Sequence, residues 1–102
     1  MRKANKGEVA YIAGKINGFP NYKEKFEKAQ KYLESLGYIV MNPAELPEGM
    51  PYVKYMPICL AMLEQSDIIY MLDNWTDSKG APVELSYANV QRKKAYYESE
   101  EC

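Results

Sequence analysis

The sequence predicts a small α/β domain, a four-stranded parallel sheet doubly wound with helices on both faces. Three observations carry that expectation. Short apolar runs alternate with stretches of helical periodicity in the order βαβαβαβ, and strands joined through helices pair in parallel. The middle runs are continuously apolar, as in strands covered on both faces. The first run, Val9-Ala10-Tyr11-Ile12-Ala13, stops at Gly14 and gives way, through a loop with a second glycine at Gly18, to an amphipathic helix.

Residues 1–7 form a short basic lead expected to be disordered. Strand 1 is placed at Glu8–Ala13. Asn21, followed three residues later by Glu24, has capping-box spacing, and Tyr22, Phe26, Ala29, Leu33 and Leu36 then form the stripe of a helix lying on a core. Gly37 suits the position just past that helix. Tyr38–Met41 reads as a buried parallel strand, and the first strand, helix and second strand make a right-handed βαβ unit. Pro43–Pro51 holds three prolines and is expected to be a loop. Tyr52, Met56, Leu60 and Leu63 give a second apolar helical face with Cys59 beside it. Proline lacks an N–H and fits best in a first turn, so the regular helix is placed from about Pro57 to Gln65, with a looser turn before it. Asp67–Leu72 is the most apolar run and is expected at the centre of the sheet. Helix 3 opens at Ala81, with Pro82 in its first turn and Glu84 behind it, both favourable at an N-terminus, and continues through Leu85 and Ala88 towards Val90. Ala95–Tyr97 is a weak fourth strand, and residues 99–102 an acidic end expected to be disordered. No repeat or linker divides the chain, so residues 1–102 form one domain.

Composition removes several functional classes. A chain of 102 residues has room for one modest core, which self-association would help to stabilise. A net charge of −1 argues against nucleic-acid binding through bulk electrostatics. No apolar run reaches the roughly 18 residues of a membrane span, and the polar N-terminus has no signal core behind it, so the chain is expected in the cytoplasm. Cys59 and Cys102 have neither metal-ligand spacing nor the look of a disulfide framework. There is no histidine, which removes the commonest general base and most zinc sites. Neither metal nor cofactor is expected, and any chemistry must use carboxylates. Ten tyrosines suit subunit interfaces and base-stacking pockets, as well as core filling.

In sheets of this flavodoxin or Rossmann type, ligands sit beyond the carboxyl ends of the strands, where the strand order switches. The loops after strands 1 and 3 lie at that end and should face one cleft. The first loop is either a plain strand-to-helix turn or a cradle for anionic groups, because glycine permits close backbone approach and a helix N-terminus offers unpaired N–H groups. Its glycine spacing is not the dinucleotide fingerprint.

Tyr11-Ile12-Ala13-Gly14-x-Ile16-x-Gly18, Asn42-Pro43-Ala44-Glu45, Ser66–Leu72 and Trp75-x-x-Ser78-x-Gly80-Ala81-x-x-Glu84 together resemble small domains of unknown function grouped with the nucleoside 2-deoxyribosyltransferases. The resemblance covers about residues 8–98. It implies cleavage of an N-glycosidic bond by a glutamate at the start of the last helix, here Glu84, assisted by further carboxylates; a carboxylate can form a covalent glycosyl intermediate while a second acid helps the base depart. The chain departs from that pattern. Eight residues before Asp67 it has Cys59 in place of a carboxylate, and six before Glu84 it has Ser78, with Asp77 one step off. A neutral thiol cannot stand in for an acid. The chain also resembles a second branch of that superfamily, the phage Thoeris anti-defence proteins of the second type. That resemblance implies an oligomeric sponge that holds cyclic ADP-ribose isomers, and in some members cyclic dinucleotides, without cleaving them, in the cytoplasm of an infected bacterium.

On this reading the phosphates meet backbone N–H groups of the Gly14, Ile16 and Gly18 loop and of Gly80 and Ala81, helped by Lys15 and Lys79. Trp75 and Tyr11 are candidates for stacking on a base. Asn17, Asn21, Asn42 and Ser78 are candidates for sugar hydroxyls, and Glu84 for accepting from a ribose diol. Each has a plainer role: solvated lysines, a packed strand tyrosine, turn and cap asparagines, and a helix N-terminal glutamate. Tyr87, Asn89, Arg92, Tyr96 and Tyr97 lie where the resemblance implies subunit contacts, in a homodimer or homotetramer. The alternatives are a deoxyribosyltransferase or nucleotide N-glycosidase using Glu84, and an accessory domain with an empty pocket.

Overall fold

The computed structural model describes residues 1–100. Its elements follow the predicted alternation: β1 (Val9–Ala13), α1 (Tyr22–Ser35), β2 (Ile39–Met41), α2 (Tyr52–Glu64), β3 (Ile68–Met71), α3 (Ala81–Val90) and β4 (Lys94–Tyr97). All strand pairings are parallel, in the order β2-β1-β3-β4. The connection from β1 goes outward through α1 to β2. The next crosses back over β1 through α2 to reach β3, so the winding reverses between β1 and β3.

That reversal puts α1 on one face and α2 and α3 on the other, and the two-residue period of the strands divides the core between them. Ala10 and Ile12 of β1, with Ile68 and Tyr70 of β3, pack under Phe26, Ala29 and Leu33 of α1. Tyr11 and Ala13, with Ile69 and Met71, face Cys59 and Leu63 of α2 and Ala81 and Ala88 of α3. β3 lies inside the sheet and is buried along its length, as its apolar run predicts.

Several local expectations are corrected. β2 is an edge strand with Ile39 55% exposed, because its apolar run meets a neighbour on one side only. Asn21 occupies the N-cap of α1 but makes no side-chain cap bond. α2 starts at Tyr52, a full turn before the proline, with Pro57 inside it. Loss of the Pro57 N–H leaves the carbonyl of Val53 without its helical donor, in a turn that lies at the surface, with Val53 72% exposed.

Both ends of the described chain are tied down. In the lead, the Ala4 N–H donates to the Leu36 carbonyl at 2.8 Å, Arg2 pairs with Glu8 at 2.5 Å, and Met1 and Ala4 pack on the α1 half of the core. At the other end Glu98–Glu100 form a turn of 3-10 helix, and Glu98 accepts the Asp73 N–H at 2.8 Å. The rest of the expected disorder, with Cys102, falls outside the described residues. Among those described, no helix is long and apolar enough to cross a membrane.

Candidate functional site

At the carboxyl ends of β1 and β3, on the α2 and α3 face, lies a cavity of about 370 Å3, within the range of small-molecule sites. Its floor comes from β1 and α3. Tyr11 is fully buried in the middle of β1, and its hydroxyl donates to Glu84 Oε2 at 2.7 Å. The ring is enclosed by the core, so Tyr11 acts through its hydroxyl rather than as a stacking face. Glu84 sits in the first turn of α3 and is 5% exposed. Burial raises its carboxyl to about 7, against the Tyr11 hydrogen bond, which pulls it down. Burial, and next the neighbouring Glu84 charge, hold the Tyr11 phenol well above its ordinary value.

One wall is a stripe on α2: Tyr52, Tyr55, Met56 and Cys59, spaced so that all four share a face. Burial pushes the Cys59 thiol up to about 11, so it stays neutral at ordinary pH. The opposite wall is the loop after β1. The backbone of Gly14 runs so close to β3 that a Cβ there would lie 2.7 Å from Leu72 Cδ1, which accounts for the glycine by packing alone. Lys15, Ile16 and Asn17 follow along the rim. The Lys15 N–H is already donated to Asn74 Oδ1 at 3.1 Å, whereas those of Ile16 and Asn17 have no protein acceptor among the described residues.

The segment from Asp77 to Ala81 completes the mouth. Ser78 Oγ accepts the Ala81 N–H at 3.1 Å, so this N–H caps α3 internally and is not free for an anion. Lys79 Nζ stands 5.3 Å from the centre of the Tyr52 ring, a cation–π contact across the opening. Gly80 lets this segment lie against α2, since a Cβ would come within 3.0 Å of Met56 Sδ. Asp77, an exposed carboxylate, lines the same cavity as Glu84.

Ten of the residues singled out in the sequence therefore converge: Tyr11, Gly14, Lys15, Ile16, Asn17, Ser78, Lys79, Gly80, Ala81 and Glu84. Four lie elsewhere. Gly18 lines a neighbouring hollow. Asn21 is exposed at the start of α1. Asn42 Oδ1 accepts the Ala44 N–H at 2.9 Å and its Nδ2 donates to Gln30 at 2.8 Å, fixing the turn after β2. Trp75 faces Tyr97 of β4 at 6.2 Å between ring centres and packs on the α2 and α3 half of the core. Sequence reasoning missed Pro43, Tyr52, Tyr55 and Met56 as lining residues. The sequence places Tyr52, Met56 and Cys59 together on an apolar helical face; the spacing of 52, 55, 56 and 59 adds Tyr55 to that face once the regular helix starts at Tyr52.

Among the described residues no cluster of acidic or sulfur ligands could hold a metal ion. A family model described as a domain of unknown function (DUF4406) matches residues 8–97, from the residue before β1 to the last of β4. No curated protein matches the chain.

Proposed function

The chain belongs to the DUF4406 family, a name that carries no activity, and from the chemistry of its cavity we propose that it binds and sequesters a cyclic nucleotide messenger without cleaving it. Cyclic ADP-ribose isomers and cyclic dinucleotides are the ligand classes, and countering a nucleotide-signalled anti-phage defence is the biological role. The observation that carries the reading is the α2 wall. Two tyrosine rings and a neutral, buried Cys59 stand against a Glu84 whose oxygen is held by Tyr11. This wall offers stacking and hydrogen bonding to sugar and base but no acid at the Cys59 position. Lys15 and Lys79 at the rim supply positive charge for phosphate. The same reading makes the protein a homo-oligomer and its compartment the bacterial cytoplasm.

A specific observation favours the rival reading, a nucleotide N-glycosidase or deoxyribosyltransferase. Asp77 lines the same cavity as Glu84, so a nucleophile and a second acid are both present. One experiment separates the two. Purified protein is incubated with a cyclic ADP-ribose isomer, washed, heat-denatured, and the released ligand analysed. Intact ligand in near-stoichiometric yield is expected. Released base, abolished by Glu84→Gln, establishes the enzyme instead. Failure of cyclic nucleotides and deoxynucleosides alike to raise the melting temperature at high concentration removes both.

A further inference from the structure

The cavity has a neighbour. A second hollow of about 350 Å3 lies on the far side of the loop after β1, and Ile16, Asn17 and Tyr55 line both. Its own surfaces are Phe19, Pro20 and Tyr22, with Glu48 and Gly49 opposite. Gly18 and Gly49 both have positive φ, +75° and +84°, and nothing lies within 4 Å of a Cβ placed at Gly49. Two tight turns thus leave open space rather than filling it. Phe19 and Tyr22 are partly exposed rings, and base stacking tolerates any planar heterocycle. Glu48 takes the Tyr22 hydroxyl at 3.3 Å and pairs with Lys23 at 3.4 Å through one and the same oxygen, which leaves the other oxygen for a further donor. The side chain of Lys15, on the rim of the first cavity, reaches towards the second: its Cε lies 3.9 Å from where a Gly18 Cβ would stand. A cation therefore sits at the boundary of two hollows, each with aromatic walls, with Glu84 and Asp77 in the first and Glu48 in the second.

We propose that the two hollows form one bipartite site for a two-headed nucleotide, with a ring-bearing unit in each compartment and the phosphate bridge passing over Asn17 beside Lys15. The proposal rests on the nucleotide-binding reading and narrows it to ligands with two heads. The Glu84 and Tyr11 pair meets the sugar of one head. Phe19 and Tyr22 stack on the ring of the other, whose amino group donates to Glu48. Linking two heads makes the second binding event intramolecular, so affinity should exceed that of one head by a wide margin.

The test compares adenosine monophosphate with diadenosine diphosphate on the full chain by calorimetry. The two-headed probe is expected to bind with one ligand per chain and at least about 100-fold more tightly. Phe19→Ala and Glu48→Gln should each remove about 10-fold or more of that advantage while leaving the monophosphate affinity within about twofold, which also certifies that the variants fold. Lys15→Gln should weaken the two-headed probe and flatten its salt dependence. Equal affinity of the two probes, or variants that weaken both probes alike, overturns the bipartite site while leaving single-nucleotide binding intact. Absence of binding by both probes overturns the bipartite site, and the reading on which it rests falls with it only when cyclic nucleotides also fail to raise the melting temperature.

Discussion

Burial leaves Glu84 only 5% exposed beside the Tyr11 hydroxyl, and so its protonation is tied to folding. Its carboxyl rises from an ordinary 4.5 to about 7 on folding. Below the lower value both states hold the proton and the group has no effect on stability. Between the two, the unfolded chain releases the proton and the folded chain keeps it, so stability falls as pH rises, and above about 7 the loss is complete. A shift of that size corresponds to about 3 kcal/mol. Glu84→Gln, which cannot ionise but still accepts from Tyr11, should therefore melt several degrees above the parent at about pH 8 and with it at about pH 4. Identical melting temperatures at the higher pH would show that Glu84 is not held in this environment. Glu84 was singled out in the sequence through the resemblance, which places a glutamate at the start of the last helix; its position alone fits an ordinary helix N-terminal carboxylate as well. The orientations of Trp75 and Asn42 were not legible there, because a polar loop gives no sign of which side of the sheet its side chains turn to; Trp75 turned towards Tyr97 and Asn42 towards Gln30.

At the scale of elements, the periodic segments were read from the sequence and the proline misled. α1 fell where its stripe of Phe26, Ala29 and Leu33 placed it, and the four strands differ from expectation by a residue at their ends. The regular part of α2 was started a turn and a half late because Pro57 was taken to open it; Tyr52 and Met56 were read as one apolar face, but as core rather than cavity wall, and Tyr55 was not placed on it. Propensity lost to tertiary packing: the stripe that lines the cavity begins in the first turn of α2, and the turn that loses its bond is exposed at Val53. The cost of the proline should still be recoverable. Pro57→Ala restores the N–H towards Val53 and removes the ring clash, and should stabilise the protein by about 1 to 2 kcal/mol, after the greater entropy of the unfolded chain offsets part of the gain. Thermal unfolding reads this directly, and a melting temperature at or below that of the parent would mean that α2 depends on the proline to hold its first turn.

Across the whole molecule, three distant segments meet at one ammonium group. Lys25 of α1 pairs with Asp73, just past β3, at 2.8 Å and with Glu98, just past β4, at 3.2 Å, and Glu98 also takes the Asp73 N–H. Burial pulls the Lys25 ammonium down, but its hydrogen bonds to Asp73 and Glu98 outweigh this and hold it above its ordinary value. The junction ties the helix on one face to the carboxyl ends of two strands, which explains why the acidic end of the described chain is docked although its composition suggested otherwise. It also steadies the residue before Asn74, whose side chain holds the Lys15 backbone at the cavity rim. Lys25→Met removes the shared cation and leaves two carboxylates facing each other. Ion pairs near the surface contribute little singly, and a partly buried junction of three contributes more. A loss of about 1 kcal/mol is expected, or about 4 to 8 °C in melting temperature for a domain of this size. Salt should shrink the gap between parent and variant, because it screens both the attraction in one and the repulsion in the other. A difference that persists unchanged in high salt would assign the effect to packing of the lysine stem on α1, and no difference at low salt would mean that the sheet ends are held by their backbone ladder alone.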